Sequence, residues 1–213
     1  MIADTPVLSA QNLTKTYGST TALDGVSATV RAGESVAVMG ASGSGKTTLL
    51  HCLAGIVLPD TGSVRLFGTA TGVPAEITSL DDAARSALRR TEFGFVFQQG
   101  LLIPELTAGE NVALALMLNG TPRQVAEQQA AAALAALGLA GMEGRRIGEL
   151  SGGQAQRVAI ARAQVNGARV LFADEPTGAL DSRNSAEVMA LLLQSVAGTG
   201  LALVVVPPDA EVA

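Results

Sequence analysis

The segment MGASGSGKTT, residues 39–48, decides how the rest of the 213-residue chain is read. It follows a short apolar run, Ser35–Met39, and precedes a helical pattern. Gly40, Gly45, Lys46 and Thr47 fit the spacing G-x-x-x-x-G-K-[ST] of a phosphate-binding loop. Glycines let the backbone curl, so that the N–H groups across Ala41, Ser42, Gly43, Ser44 and on to Thr48 can face one anion, backed by the positive end of a helix. Lys46 supplies a point charge for the β- and γ-phosphates, and Thr47 offers a hydroxyl to Mg²⁺. An ordinary Gly/Ser turn lacks the preceding strand, the Lys-Thr pair and the helix.

Further along, VLFADEP (residues 170–176) reads as a second buried strand ending in two carboxylates. A core strand that aims Asp174 at a phosphate loop suits a Mg²⁺ ligand, and Glu175 then sits where a general base can activate water. A third segment, ELSGGQAQRVAIARA (residues 149–163), is a glycine-rich opening to a helix. Ser151, Gly152 and Gly153 expose N–H groups at a positive dipole end, with Gln154 beside them. No strand precedes it, so it is not a second complete nucleotide site. Its anion must come from elsewhere, and the γ-phosphate held by another copy of the chain is the simplest source. Read alone, Ser151 is equally a plain helix cap.

Short apolar runs alternate with helical patterns, which predicts an α/β fold with a mostly parallel sheet. The candidate strands are Val7–Leu13, Ser27–Val30, Ser35–Met39, Ser63–Phe67, Gly94–Phe97, Val170–Ala173 and Leu201–Val206. Val36–Met39, Val170–Ala173 and Leu201–Val206 are apolar without alternation, as in strands buried on both faces. Ser79 with Asp82, Thr107 with Glu110, and Thr121 before Pro122 mark helix starts, and Gly138 a helix end. From about residue 99 to residue 160 the pattern is helical. The expected organisation is one domain, with residues 1–98 and 161–213 as α/β core and 99–160 as an inserted helical lobe.

Composition sets limits. Hydrophobic residues are 48% of the chain and charged residues 15%, so a large core can be buried and disorder is excluded. Aromatics are only 3%, leaving that core to Ala, Val and Leu. The net charge of -5 opposes nucleic acid as a main partner. One cysteine, Cys52, permits no internal disulfide and fits a reducing compartment. The start MIADTPVLSA does not read as a signal peptide, and no apolar run reaches the roughly 18 residues a membrane helix needs. His51 and Cys52 read as packing residues rather than reactive ones.

Together and in order, these segments resemble the ATP-binding subunit of ABC transporters. Gly40–Thr48 resembles Walker A, Leu150–Gln154 the LSGGQ signature, Val170–Glu175 Walker B, and Ala179-Leu180-Asp181 the D-loop. The resemblance implies an N-terminal antiparallel β portion and a head-to-tail pair of subunits, identical or not, sandwiching two ATP molecules. It implies that Tyr17, in LTKTYG, stacks on adenine, and that Gln98, in GFVFQQ, reaches Mg²⁺ and the attacking water. The apolar stretch GLLIPELT after it would meet a polytopic membrane permease, which places the chain on the inner face of the cell membrane. The wording of SLDDAARSALRRTEFGFVFQQ and DEPTGALD is most similar to the lipoprotein-release and macrolide-export group.

One position departs from that pattern. Where the family carries a histidine that contacts the γ-phosphate, this chain reads Val206-Pro207-Pro208-Asp209, with Pro208 in the histidine's place. Proline has no N–H to donate. The sequence ends seven residues after that strand, where the resemblance leads one to expect a further strand and helix. Three readings stand at this stage: an active transport ATPase, a nucleotide-binding switch with weak turnover, and a soluble relative acting on DNA or ribosomes. The acidic charge opposes the third.

Overall fold

The computed structural model describes residues 6–68, 73–197 and 199–208. Asp209 and the residues after it lie outside that set, as does the register argued from them. Two four-stranded sheets form the frame. In the first, β1 (Pro6–Tyr17) pairs antiparallel with β2 (Thr20–Arg31) and with β4 (Thr61–Leu66), and β5 (Ala75–Glu76) completes the order β2-β1-β4-β5. The second is parallel: β3 (Ser35–Ala37), β8 (Ala202–Val206), β7 (Val170–Asp174) and β6 (Phe93–Phe97), in that order across the sheet.

Every residue of β8 is buried, and all of β7 except Asp174. Their side chains alternate between two apolar layers, as the period of two requires. Val170, Phe172, Val204 and Val206 face one core with Leu50 and Leu53 of α1 (Lys46–Leu53). Leu171, Ala173, Leu203 and Val205 face the other, with Val188 and Leu192 of α6 (Ser182–Val196). Phe172 meets Phe93 edge-on at 5.3 Å and stacks on Phe95 at 5.6 Å, so three of the few aromatics pack together across the β6–β7 pair.

The expectation of two-sided burial fails at Val36–Met39. The strand stops at Ala37, lies at the sheet edge, and leaves Met39 77% exposed. Its apolar character serves one neighbour rather than two, with Val38 N–H still donating to the Val205 carbonyl at 2.8 Å. β1 and β2 are each 12 residues long, well beyond the sequence-based spans, because register shifts break up their alternation.

Between β6 and β7 lie α3 (Ala108–Met117), α4 (Arg123–Ala136) and α5 (Gly152–Gln164), with their own core of Val112, Ala130, Leu134, Leu139 and Val158. α5 has a second allegiance: Ile160 and Ala163 pack with the sheet cluster. The expected boundary at residue 160 therefore falls inside one unbroken helix.

Two helix starts differ from expectation. α2 (Asp82–Thr91) is capped by Asp81, whose carboxylate accepts from Ala84 N–H at 2.7 Å, while Ser79 closes a preceding 3-10 turn. Ser79 is two residues too early to reach the orphan N–H groups. Pro122, not Thr121, holds the cap position of α4; its extended ψ of 142° ends the chain's approach to the helix. The capping box of Thr107 and Glu110 is present, and Gly138 ends α4 with φ +74°.

Candidate functional site

The parallel sheet delivers the chemistry-bearing residues to the carboxyl ends of its strands. The loop 38–45 leaves the end of β3, Gln98 follows β6, Asp174 ends β7, and Pro207 and Pro208 follow β8. Ligands of open parallel sheets sit outside the carboxyl ends of the strands.

Residues 40–44 of the loop are exposed, whereas Lys46 is only 9% exposed. Its ammonium donates to the Gly40 carbonyl at 2.8 Å and the Ala41 carbonyl at 3.1 Å, drawing the loop over itself. Gly45 is required by geometry: its φ is +89°, and a Cβ there would collide with the Ala22 carbonyl oxygen of β2. No side chain caps α1, so the first-turn N–H groups at Lys46, Thr47 and Thr48 remain open to an anion.

Thr47 Oγ1 donates to Asp174 Oδ1 at 3.3 Å across 127 residues of sequence. Both line a cavity of about 290 Å³ with Phe97, Gln98, Gln99, Leu101 and Glu175. A hydroxyl, an amide and two carboxylates are hard oxygen donors, a set that suits Mg²⁺ with phosphate and water completing its shell.

Glu175 has φ +46°, unusual for a residue with a Cβ and costing about 1–3 kcal/mol. The strain is held by its N–H, which donates to the Val206 carbonyl at 2.8 Å, and its carbonyl, which accepts from Gly178 N–H at 3.0 Å. The turn redirects the chain immediately after β7, so two adjacent carboxylates both reach the cavity.

Other expected site residues lie away from this cavity's lining. Tyr17 ends β1, 50% exposed, with the Lys15 ammonium 5.6 Å from its ring centroid and held by Asp60 at 2.8 Å. Ser151 caps α5 in a reciprocal box with Gln154, and Ser151 and Gly152 are exposed. Gly153 is buried against Asn184, whose amide donates to Asp181 Oδ2 at 2.6 Å. The Asn184 backbone N–H also donates to Asp181, which caps α6, and these bonds hold the Asp181 carboxyl below the usual carboxylate range. The signature turn and the D-loop thus share one brace. Cys52 is buried, and burial pushes its thiol up to about 11, so it is an inert packing residue.

Sequence reasoning missed two residues here. Gln156, 3% exposed, donates to the Phe97 carbonyl at 2.9 Å, and Arg162 donates to the carbonyls of Gly100 and Leu101, each at 2.7 Å. Both sit in the helix after the signature, where a polar residue on the buried face was the one available signal.

A glycine loop around a buried lysine, followed by a threonine that shares one cavity with a strand-end carboxylate pair, defines a P-loop nucleoside triphosphatase. More narrowly, the chain belongs to the ABC transporter family, whose model matches residues 23–178. It is 44% identical over 214 residues to the lipoprotein-releasing system ATP-binding protein LolD of Rhodopseudomonas palustris, covering 99% of this chain and 90% of that protein. It is also 44% identical over 214 residues to the pyoverdine export ATP-binding/permease protein PvdT of Pseudomonas fluorescens. That match covers 98% of this chain but only 32% of PvdT, so the chain spans about a third of that relative's length. Among solved structures, the dimeric ATP-binding cassette MJ0796 in a post-hydrolysis state with ADP and Pi superposes with a TM-score of 0.82 at 38% identity, covering 95% of this chain and 88% of that one. The chain is an ABC-type ATPase.

Proposed function

We propose that this chain is the ATP-binding subunit of a transporter, working as a head-to-tail pair beneath a polytopic membrane permease of the lipoprotein-release and macrolide-export type. In this reading it lies on the inner face of the cell membrane; no helix among the described residues is long and apolar enough to cross one. The observation that carries the reading is an asymmetry. The loop 40–48, Thr47, Asp174, Glu175 and Gln98 build most of one nucleotide site, while the turn at Ser151 and Gly152, exposed and outside that cavity, offers the start of a second helix to an anion. A second copy supplies that anion as the γ-phosphate of its ATP.

Within the site, the N–H groups of residues 40–48 and the Lys46 ammonium bind the triphosphate, and Tyr17 stacks on adenine. Thr47 and Asp174, with Gln98 nearby, would hold Mg²⁺, which supplies charge neutralisation at the phosphate oxygens. Glu175 accepts the proton of the attacking water, and Gln98 orients that water. Arginine at Ser151 tests the pairing. The Ser151→Arg protein is expected to bind ATP as wild type does yet fail to dimerise in a sedimentation experiment, because its side chain fills the space the partner's phosphate needs. Normal ATP-dependent dimers in that variant would remove the composite site.

Pro208 favours a second reading, a switch with slow turnover. It follows β8 beside β7, where Asp174 pairs with Val206, and it is exposed at the same carboxyl end of the strands as Glu175. It can donate no hydrogen bond to a phosphate oxygen. Since one preorganised donor is commonly worth roughly 10²–10³ in rate, Pro208→His is expected to raise ATP turnover by about tenfold or more. Unchanged phosphate release from the Pro208→His protein counts against this second reading.

A further inference from the structure

We propose that Arg162 is a positioning residue for Gln98, strapping the turn at residues 98–101 to the helix that begins with the signature. The inference rests on the reading of Gln98 and Ser151–Gln154 given above.

The turn is an awkward piece of backbone. Gly100 and Leu101 are consecutive residues with positive φ, +67° and +46°. Left-handed geometry costs a residue with a Cβ roughly 1–2 kcal/mol, so Leu101 keeps it only where the surroundings impose it. The surroundings are one face of α5. Gln156 holds the Phe97 carbonyl, the Ala159 methyl lies on the side of Gly100 where a side chain would project, and Arg162 holds the Gly100 and Leu101 carbonyls with separate guanidinium nitrogens. These three residues recur every third position, so they form a stripe along the helix. The guanidinium's rigid fork suits two neighbouring carbonyl oxygens in a way a flexible ammonium does not.

The gripped turn matters because of what it carries. Gln98 and Leu101 both line the cavity with Thr47 and Asp174, and the Gln98 side-chain amide lies against Gly178, just after Walker B. Arg162 is absent from the cavity lining and therefore acts through the turn. The same helix starts at Gly152. The strap makes the signature turn and the Gln98 turn parts of one rigid piece, so that a load on Ser151 and Gly152 from the partner's nucleotide is felt at this chain's own cavity.

The test uses the full chain in single-turnover ATP hydrolysis, with ATP affinity measured separately by equilibrium binding. Gln98→Ala and Arg162→Leu are each expected to slow hydrolysis by about tenfold, while the ATP dissociation constant stays within about threefold. The Gln98→Ala/Arg162→Leu double variant is expected to be no slower than Gln98→Ala, within about twofold, because a strap has nothing left to position. A merely structural arginine gives losses that multiply instead. Arg162→Lys keeps the charge without the fork and is expected to lose about threefold, again only when Gln98 is present. It carries the same comparison should Arg162→Leu fail to fold. A normal rate in Arg162→Leu beside a slow Gln98→Ala overturns the strap alone, as do multiplying losses. A normal rate in Gln98→Ala overturns the underlying reading of the site, and the strap with it.

Discussion

Glutamine at position 175 is expected to cut ATP turnover by about 10³-fold, or roughly 4 kcal/mol of transition-state stabilisation, while leaving ATP bound. The substitution changes one oxygen to an amide nitrogen. The left-handed backbone of Glu175, its N–H bond to Val206 and its carbonyl bond from Gly178 all involve the main chain, so stability should hold. What disappears is the proposed acceptor for the proton of the attacking water. A second effect has the opposite sign. The carboxylate faces the same cavity as Asp174 and, in the proposed complex, a triphosphate. Removing one negative charge relieves repulsion that is strongest once water is excluded between two subunits. The Glu175→Gln protein should therefore accumulate as an ATP-dependent dimer while wild type dissociates after hydrolysis. Steady-state phosphate release paired with sedimentation at equal ATP concentration checks both halves. Turnover within threefold of wild type would show that another group takes the proton.

Lys46→Ala is expected to weaken ATP binding by more than 100-fold, read by equilibrium binding of a fluorescent ATP analogue. The ammonium is nearly buried and already bonded to the Gly40 and Ala41 carbonyls, so its desolvation is met before ligand arrives. Truncating one partner of a desolvated charge pair commonly costs 2–5 kcal/mol or more, which is about 30- to several-thousand-fold in affinity. The loop loses two bonds that fold it over α1, adding disorder to lost charge. Lys46→Arg should not rescue, because a planar fork cannot occupy the compact position of the ammonium beneath the loop. Near-normal affinity in Lys46→Ala would mean that backbone N–H groups alone hold the phosphates, and the electrostatic account of residues 40–48 would need replacing.

These two expectations differ in where they could be read. Lys46 belongs to a motif whose parts lie within a few residues of one another, each with a local reason to be there: glycine for positive φ, lysine for charge, threonine for a hydroxyl. Glu175 was legible as a strand-end carboxylate, but its φ of +46° was not, because nothing about glutamate invites left-handed geometry. That conformation is imposed by β8, whose Val206 carbonyl captures the Glu175 N–H. The helix start at Asp81 and the edge position of the strand Ser35–Ala37 escaped sequence reading for a related reason. Each depends on which of two plausible local options a distant neighbour favours.

The sequence by itself determined the phosphate loop, the carboxylate pair, the alternation of strands and helices, and the glycine-opened helix at Ser151. Each is encoded by residue types at short spacing, where backbone sterics and capping act without help. Only the tertiary structure decided the closure of Thr47 on Asp174, the strained turn at Glu175, and the grip of Gln156 and Arg162 on the Gln98 turn. The bonds of Thr47, Gln156 and Arg162 join groups 59 to 127 residues apart, and three of their partners are backbone carbonyls, which every residue carries. A carbonyl leaves no mark in a sequence; its role appears only when packing brings a particular donor to it.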